Sequence, residues 1–146
     1  MNRERLARSR THGVAAWATT IVRVATGALF VMFSLGKFVD HMNESAHFDS
    51  YGVPVPDVAT YLVGTLELVG GALLVVGLLT RPAAALLAAN LVGALLTAGR
   101  TDGGTFHLGV GPAMLLAMLF LVWAGPGRLA LDTRLLAPSP PRPRVS

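Results

Sequence analysis

Residues 64–79 read GTLELVGGALLVVGLL, and Glu67 is the only charged residue among these sixteen. The stretch lies within a longer apolar run, 58–79, which is long enough to cross a hydrocarbon core of about 30 Å as a helix. A charged group inside a bilayer is costly, by about 2.5–3.5 kcal/mol on insertion scales, and normally faces protein or water. The stretch therefore predicts a transmembrane helix that turns its carboxylate into the interior of a helical bundle.

The composition places the whole chain in the same class. Of its 146 residues, 53% are hydrophobic and 14% are charged, and the mean hydropathy is +0.58. A soluble domain of this size needs more polar surface, because small folds expose a large share of their residues. The absence of cysteine excludes disulfides, thiol relays and iron–sulfur ligation by this chain. The formal charge of +4 lies beside apolar runs, which favours the lipid bilayer and its anionic headgroups over nucleic acid as the partner.

The sequence predicts an all-α fold, an integral membrane bundle of four transmembrane helices. The predicted segments are a basic tail (1–13), helices at 14–39, 58–79, 82–99 and 108–124, outer loops at 40–57 and 100–107, and a tail at 125–146. Thr80 and Arg81 link the second and third helices. The end of the chain, PSPPRPRVS, is too rich in proline to be helical and is expected to be disordered.

The distribution of charged residues predicts that both termini are cytoplasmic. The arginines of the tails and of the short link fall on one side of a four-span bundle: Arg3, Arg5, Arg8, Arg10, Arg81, Arg128, Arg134, Arg142 and Arg144. The opposite side carries mostly acids: Asp40, Glu44, Asp49, Asp57 and Asp102, with Arg100. The first apolar run is too long for a cleaved signal peptide and contains Arg23. By the positive-inside rule, the chain is predicted to be a multi-pass protein of the plasma (inner) membrane.

Counting depth along the predicted helices brings three polar residues close to the membrane midplane. Arg23, Glu67 and Asn90 each lie eight or nine residues into their helices, about 13 Å from the interface. The sequence thus predicts one intramembrane polar cluster in which Glu67 pairs with Arg23. Lys37 is expected near the outer interface, where it either snorkels to the headgroups or closes the mouth of the bundle.

The spacing of these residues predicts which helices face each other. One helical stripe runs through Arg23, Gly27, Phe30, Ser34 and Lys37, and a second through Gly64, Glu67, Gly71 and Leu74. Glycine allows close helix approach in lipid, so the two stripes are expected to be in contact. Two interpretations of the cluster remain open: a structural ion pair that fixes helix register, or a site that handles a ligand or protons.

The outer loop 40–57 contains His41, Glu44 and His47, which would share one face of a helix. This spacing is a weak indication of a metal site, and a polar face on the membrane surface is the simpler interpretation. Haem held between His41 and His107 is a related alternative, although neither histidine lies deep in a predicted helix.

The order of several motifs resembles that of the DoxX family of small membrane proteins. The motifs are RVATGALFVMFSLGKF (23–38), FDSYGVPVP (48–56), ELVGGALLVVGLLTRPAA (67–84) and GPGRLALD (125–132). The resemblance implies a four-helix membrane protein with cytoplasmic ends and an association with redox biology. The family takes its name from a subunit of a thiosulfate:quinone oxidoreductase, and some members belong to oxidative-stress assemblies. Arg23, Lys37 and Glu67 are the polar positions that match the family.

Three functions follow as hypotheses. The first is a redox- or stress-associated accessory subunit that binds a quinone in the polar pocket and receives electrons from a soluble or membrane partner protein. The second is a non-enzymatic membrane scaffold or assembly factor. The third is a small binder or transporter of lipids or solutes, which with four spans would need to act as a homo-oligomer. Without thiols or a cofactor-attachment motif, the chain is not expected to be a self-contained enzyme.

Overall fold

A computed structural model of the protein describes residues 9–101 and 109–135. These residues form helices and contain no β-strand. The helices are α1 (Gly13–Val39), α2 (His41–Ser50), α3 (Pro56–Val76), α4 (Thr80–Leu96), α5 (Ala98–Thr101), α6 (Gly111–Ala124) and α7 (Leu131–Leu135). The predicted all-α membrane bundle is therefore confirmed. His107, the proline-rich end and the start of the fourth predicted span lie outside the described residues.

Three helical segments are long and apolar enough to cross a membrane: Gly13–Val39, Pro56–Val76 and Thr80–Arg100. The apolar helix α6 is shorter, at 14 residues. Large apolar side chains cover the outside of these helices, for example Ile21, Leu62 and Leu116, each at least 65% exposed. Such an apolar exterior is what contact with lipid requires. The chain is thus a multi-pass membrane protein, as the sequence predicts.

Two glycines set the contact between α1 and α3. A Cβ atom on Gly27 would lie 2.8 Å from the carbonyl oxygen of Gly71, and one on Gly71 would lie 2.7 Å from that of Gly27. Only hydrogen fits at either position, so the two helix backbones touch here. The predicted stripes therefore do face each other, and this contact fixes the register between the helices.

The ends of α3 and α4 differ from the predicted boundaries by two or three residues. Helix α3 ends at Val76 because Gly77 adopts a left-handed conformation (φ 71°), the usual way in which glycine terminates a helix. Helix α4 begins at Thr80 because the Asp132 carboxylate accepts hydrogen bonds from the backbone N–H groups of Leu79 (2.7 Å) and Thr80 (2.9 Å). An acid from the distant end of the chain thus caps α4.

The segment after α6 folds back against the bundle, where the sequence predicts only a tail. Ala130 and Asp132 are at most 1% exposed. The Asp132 N–H donates to the carbonyl oxygen of Gly77 (2.9 Å). A Cβ on Gly77 would lie 2.7 Å from that of Ala130. Residues 125–135 therefore belong to the bundle and close one end of it, called the terminal end below because both described chain ends lie there. The opposite end, called the loop end, carries α2.

Candidate functional site

Three polar side chains from three helices meet near the loop end of the bundle. Lys37 of α1 donates from Nζ to Glu67 Oε2 of α3 (2.8 Å), and Asn90 of α4 donates from Nδ2 to Glu67 Oε1 (3.0 Å). The Lys37 and Glu67 side chains are only 13% and 11% exposed. Gly64, one turn from Glu67, leaves the space in which Lys37 lies against α3. We call Lys37, Glu67 and Asn90 the polar corner.

Arg23 is not part of this cluster, so the predicted pairing of Glu67 with Arg23 is wrong. The register set by Gly27 and Gly71 places Arg23 opposite the C-terminal end of α3. Glu67 lies about 10–12 Å further along that helix. Counting residues from the end of each predicted helix assumes that all the helices begin at the same level in the membrane. Such a count cannot detect a shift of one helix along another. The same shift brings Lys37 to Glu67 instead of leaving it at the interface.

Arg23 has a different set of partners at the terminal end. Its Nη1 donates to the carbonyl oxygens of Leu74 (2.6 Å) and Val75 (3.1 Å), and its Nη2 donates to that of Arg128 (3.4 Å). Asp132 lies close enough to interact with it electrostatically. A cation at the C-terminus of a helix satisfies carbonyl groups that have no partner in the helix. Arg23 is 1% exposed, and these contacts explain how its burial is tolerated.

The polar corner forms one wall of a cavity of about 520 Å³. The cavity lies between α1, α2, α3, α4 and α6, and most of its lining is apolar. Its apolar lining includes Phe30, Phe33, Phe48, Tyr51, Val63, Leu91 and Met114, and its polar lining includes Lys37, Glu44, His47, Glu67, Asn90 and Thr97. A volume of this size is within the range of small-molecule sites, which combine apolar walls with a few polar groups.

The hydrogen-bonding capacity of the polar corner is only partly used within the protein. Both Glu67 oxygens accept a bond, whereas the Lys37 ammonium and the Asn90 amide each use one of their N–H groups. Among the described residues, no partner takes the remaining N–H groups or the Asn90 carbonyl oxygen. The corner can therefore donate hydrogen bonds to a ligand with carbonyl or hydroxyl oxygens while the ion pair stays intact.

The three candidate metal ligands of the predicted outer loop lie on α2, which covers the cavity, but they do not converge. His41 stacks on Tyr61 with ring centroids 3.9 Å apart, and its Nε2 lies 3.7 Å from Asp57. Glu44 and His47 instead line the cavity. Within the described ranges, no three His, Cys, Asp or Glu side chains are placed to hold a metal ion. The sequence analysis assigned this segment to a loop and considered a helix only as the condition for a metal site, because the polar sequence lacks an apolar periodicity.

The contribution of Asp132 was also missed. The sequence offers one indication of it, since GPGRLALD ends in an acid and the rest of the chain places an arginine inside a membrane helix. A buried cation needs an opposite charge. Without the fold, however, nothing distinguishes Asp132 from an acid exposed on a tail.

Comparison with known proteins supports the membrane assignment. A protein named "Uncharacterized membrane protein Rv3486", from Mycobacterium tuberculosis, is 37% identical over 78% of this chain and 78% of its own length. "Putative oxidoreductase CatD" of Bacillus subtilis is 32% identical over 78% of this chain and 84% of its own length. "Inner membrane protein YphA" of Escherichia coli is 28% identical over 78% and 87%.

No solved structure matches the chain. The DoxX family model matches residues 18–100, a range that contains most of α1, all of α2, α3 and α4, and the whole polar corner. The family resemblance in the motifs, the helical membrane bundle and this match agree, and the chain belongs to the DoxX family.

Proposed function

We propose that this DoxX-family protein is a redox-associated accessory subunit that binds a quinone-like ligand in the cavity beside the polar corner. One observation carries the proposal: N–H groups of Lys37 and Asn90 that have no partner in the described chain line an apolar cavity inside a membrane bundle. Molecules that combine a polar head with a long apolar body are dissolved in the surrounding lipid, and they match a cavity of this composition.

The chemistry of the cavity suits a quinone headgroup. A quinone presents two carbonyl oxygens on a flat apolar ring, so it accepts hydrogen bonds from Lys37 or Asn90 while its ring contacts Phe30 and Phe33. Glu67 keeps the ammonium in place through the ion pair. A quinone, when bound, supplies two-electron and two-proton redox chemistry. The residues of the chain bind the headgroup and orient it.

The redox part of the proposal rests on two further facts. A relative from Bacillus subtilis is named as an oxidoreductase. The chain has no cysteine, so a thiol cannot carry electrons to the ligand. We therefore place the electron donor on a partner protein and assign this chain the binding of the ligand.

The test is to purify the full chain from its own membranes in mild detergent and identify bound lipophilic molecules by absorption and mass spectrometry. We expect a stoichiometric quinone, lost in Asn90→Ala, which removes a donor but leaves the Lys37–Glu67 ion pair. Glu67→Gln should also lose it. Asp49→Asn, an exposed change on α2 that does not line the cavity, should retain it. A folded wild-type protein that carries only ordinary phospholipid would refute the proposal.

A second candidate is a scaffold in which the polar corner only holds the helices in register. It is favoured by the Lys37–Glu67 contact of 2.8 Å, which already satisfies both charges. A double-mutant cycle of Lys37→Gln and Glu67→Gln, read as unfolding free energy, tests it. A structural pair should show a coupling of about 1–3 kcal/mol, and the double variant should then accumulate normally in the host and keep its activity there. Loss of host activity in the stable double variant would exclude a purely structural role.

A further inference from the structure

The exposed charges at the terminal end of the bundle are all positive among the described residues. Arg10, Arg128 and Arg134 are exposed, and Arg81 is partly exposed. The acid nearest to them, Asp132, is completely buried and satisfied by backbone N–H groups. A surface with several cations and no exposed acid attracts anions.

One of these arginines is held in a fixed position beside a tryptophan. The Arg128 guanidinium lies 5.2 Å from the centre of the Trp17 ring. Its backbone is anchored to α1, because the Arg128 N–H donates to Thr20 Oγ1 (2.8 Å) and its carbonyl oxygen accepts from the same hydroxyl (2.9 Å). The backbone that presents this cation at the surface is thus tied to α1, and the guanidinium lies over the Trp17 ring.

A second pair of the same kind lies elsewhere on this end. The Arg10 guanidinium lies 5.9 Å from the centre of the Trp123 ring, and the Arg10 N–H donates to the carbonyl oxygen of Ala124 (2.8 Å). Trp17 is 44% exposed and Trp123 is 54% exposed. Both lie near the ends of apolar helices, where tryptophan marks the level of the lipid headgroups.

The loop that carries Arg128 also exposes an apolar side chain. Leu129 is 64% exposed and has a φ of 54°, a left-handed conformation that is unfavourable for leucine. A free anion in water would leave this leucine exposed beside the arginine. A membrane surface accommodates both, because the leucine enters the acyl region while the arginine reaches the phosphate.

We propose that the terminal end binds the phosphate groups of anionic phospholipids at two sites, Arg128 with Trp17 and Arg10 with Trp123. Each guanidinium provides N–H donors in a plane, and such donors pair with phosphate oxygens in a bidentate manner. The adjacent indole keeps the guanidinium at the depth of the headgroup. Trp17 lies on α1 and Trp123 lies on α6. The bound lipids would therefore belong to the leaflet that contacts the terminal end.

The experiment compares full-length variants in nanodiscs of phosphatidylcholine that contain a minor fraction of phosphatidylglycerol. Native mass spectrometry then reports the phosphatidylglycerol retained by the protein relative to the bulk lipid. We expect Arg128→Gln and Arg10→Gln each to lower this retention about ten-fold, because each removes a charge-assisted hydrogen-bonding contact to a phosphate. Neither change alters a backbone contact, so both variants should unfold at the wild-type temperature.

Two matched controls separate specific sites from general charge. Arg100→Gln removes the same charge at the loop end and should leave retention unchanged. Arg134→Gln removes a charge at the terminal end that has no tryptophan beside it, and should lower retention less than two-fold. The proposal is overturned if Arg128→Gln and Arg10→Gln retain the lipid like the wild type, or if either control lowers retention as much as they do.

Discussion

Replacing Asp132 should open the terminal end of the bundle. The carboxylate accepts two backbone hydrogen bonds at the start of α4, at 2.7 and 2.9 Å, and it is the acid that interacts with the buried Arg23. Its side chain is completely inaccessible. Asp132→Ala therefore leaves two N–H groups without partners and removes a negative charge from the surroundings of the buried Arg23.

The expected cost is set mainly by the two backbone N–H groups that lose a charged acceptor. A hydrogen bond to a charged group contributes about 1.5–3 kcal/mol, so losing two should cost about 3–6 kcal/mol. Asp132→Asn keeps one oxygen that can accept a backbone hydrogen bond, so its cost should be smaller, about 1.5–3 kcal/mol for the lost charged bond. The unfolding free energy is thus expected to be lowest for Asp132→Ala, higher for Asp132→Asn and highest for the wild type.

The assay is reversible unfolding of the full chain in mixed detergent micelles, followed by circular dichroism while the denaturing detergent is titrated. Asp49→Ala, which removes an exposed acid of α2, is the control and should change the unfolding free energy by less than about 0.5 kcal/mol. If Asp132→Ala were as stable as that control, Asp132 would not support the bundle and the account of Arg23 would fail with it.

Three other predictions follow from the backbone and the charge distribution. Gly71→Ala should destabilise the bundle by about 1–3 kcal/mol because its Cβ meets a facing carbonyl oxygen, whereas Gly93→Ala, which meets nothing within 4 Å, should be neutral or slightly stabilising in the same titration. Val55→Gly should stabilise the protein by about 1 kcal/mol, since Val55 has a φ of 52° and glycine adopts this conformation without strain. In intact cells, a membrane-impermeant thiol reagent should label Asn43→Cys and not Ser9→Cys, because the arginine-rich end is expected to be cytoplasmic; the reverse pattern would invert the topology.

Periodicity was sufficient to predict much of the fold. The residues that line the α1–α3 contact, such as Gly27 and Gly71, recur at helical spacing. Such a stripe identifies the buried face of a helix without knowledge of the helix that packs against it. Register is different, because it depends on the depth at which two backbones first touch. The sequence therefore identified Glu67 and Asn90 as polar residues inside the membrane, but it placed Lys37 near the outer interface and paired Glu67 with Arg23.

Two elements could not be predicted from apolar patterning because long-range polar contacts hold them. Helix α2 is attached to α3 by a hydrogen bond between Ser45 and Asp57 and by the stacking of His41 on Tyr61. The last described segment is held by Asp132. Polar contacts between residues far apart in sequence leave no local pattern, so both elements looked like surface loops.

The contacts of Arg23 also constrain the order of events during biosynthesis. The arginine enters the membrane with the first helix, whereas the carbonyl oxygen of Arg128 that it binds is 105 residues further along the chain, and Asp132 follows still later. Until residues 128–132 have been synthesised, the guanidinium can bind the carbonyl oxygens of Leu74 and Val75 but lacks its contacts with the last described segment. Closure of the terminal end therefore follows the synthesis of all the long helices, and a chain arrested before Asp132 would lack the contacts that close this end.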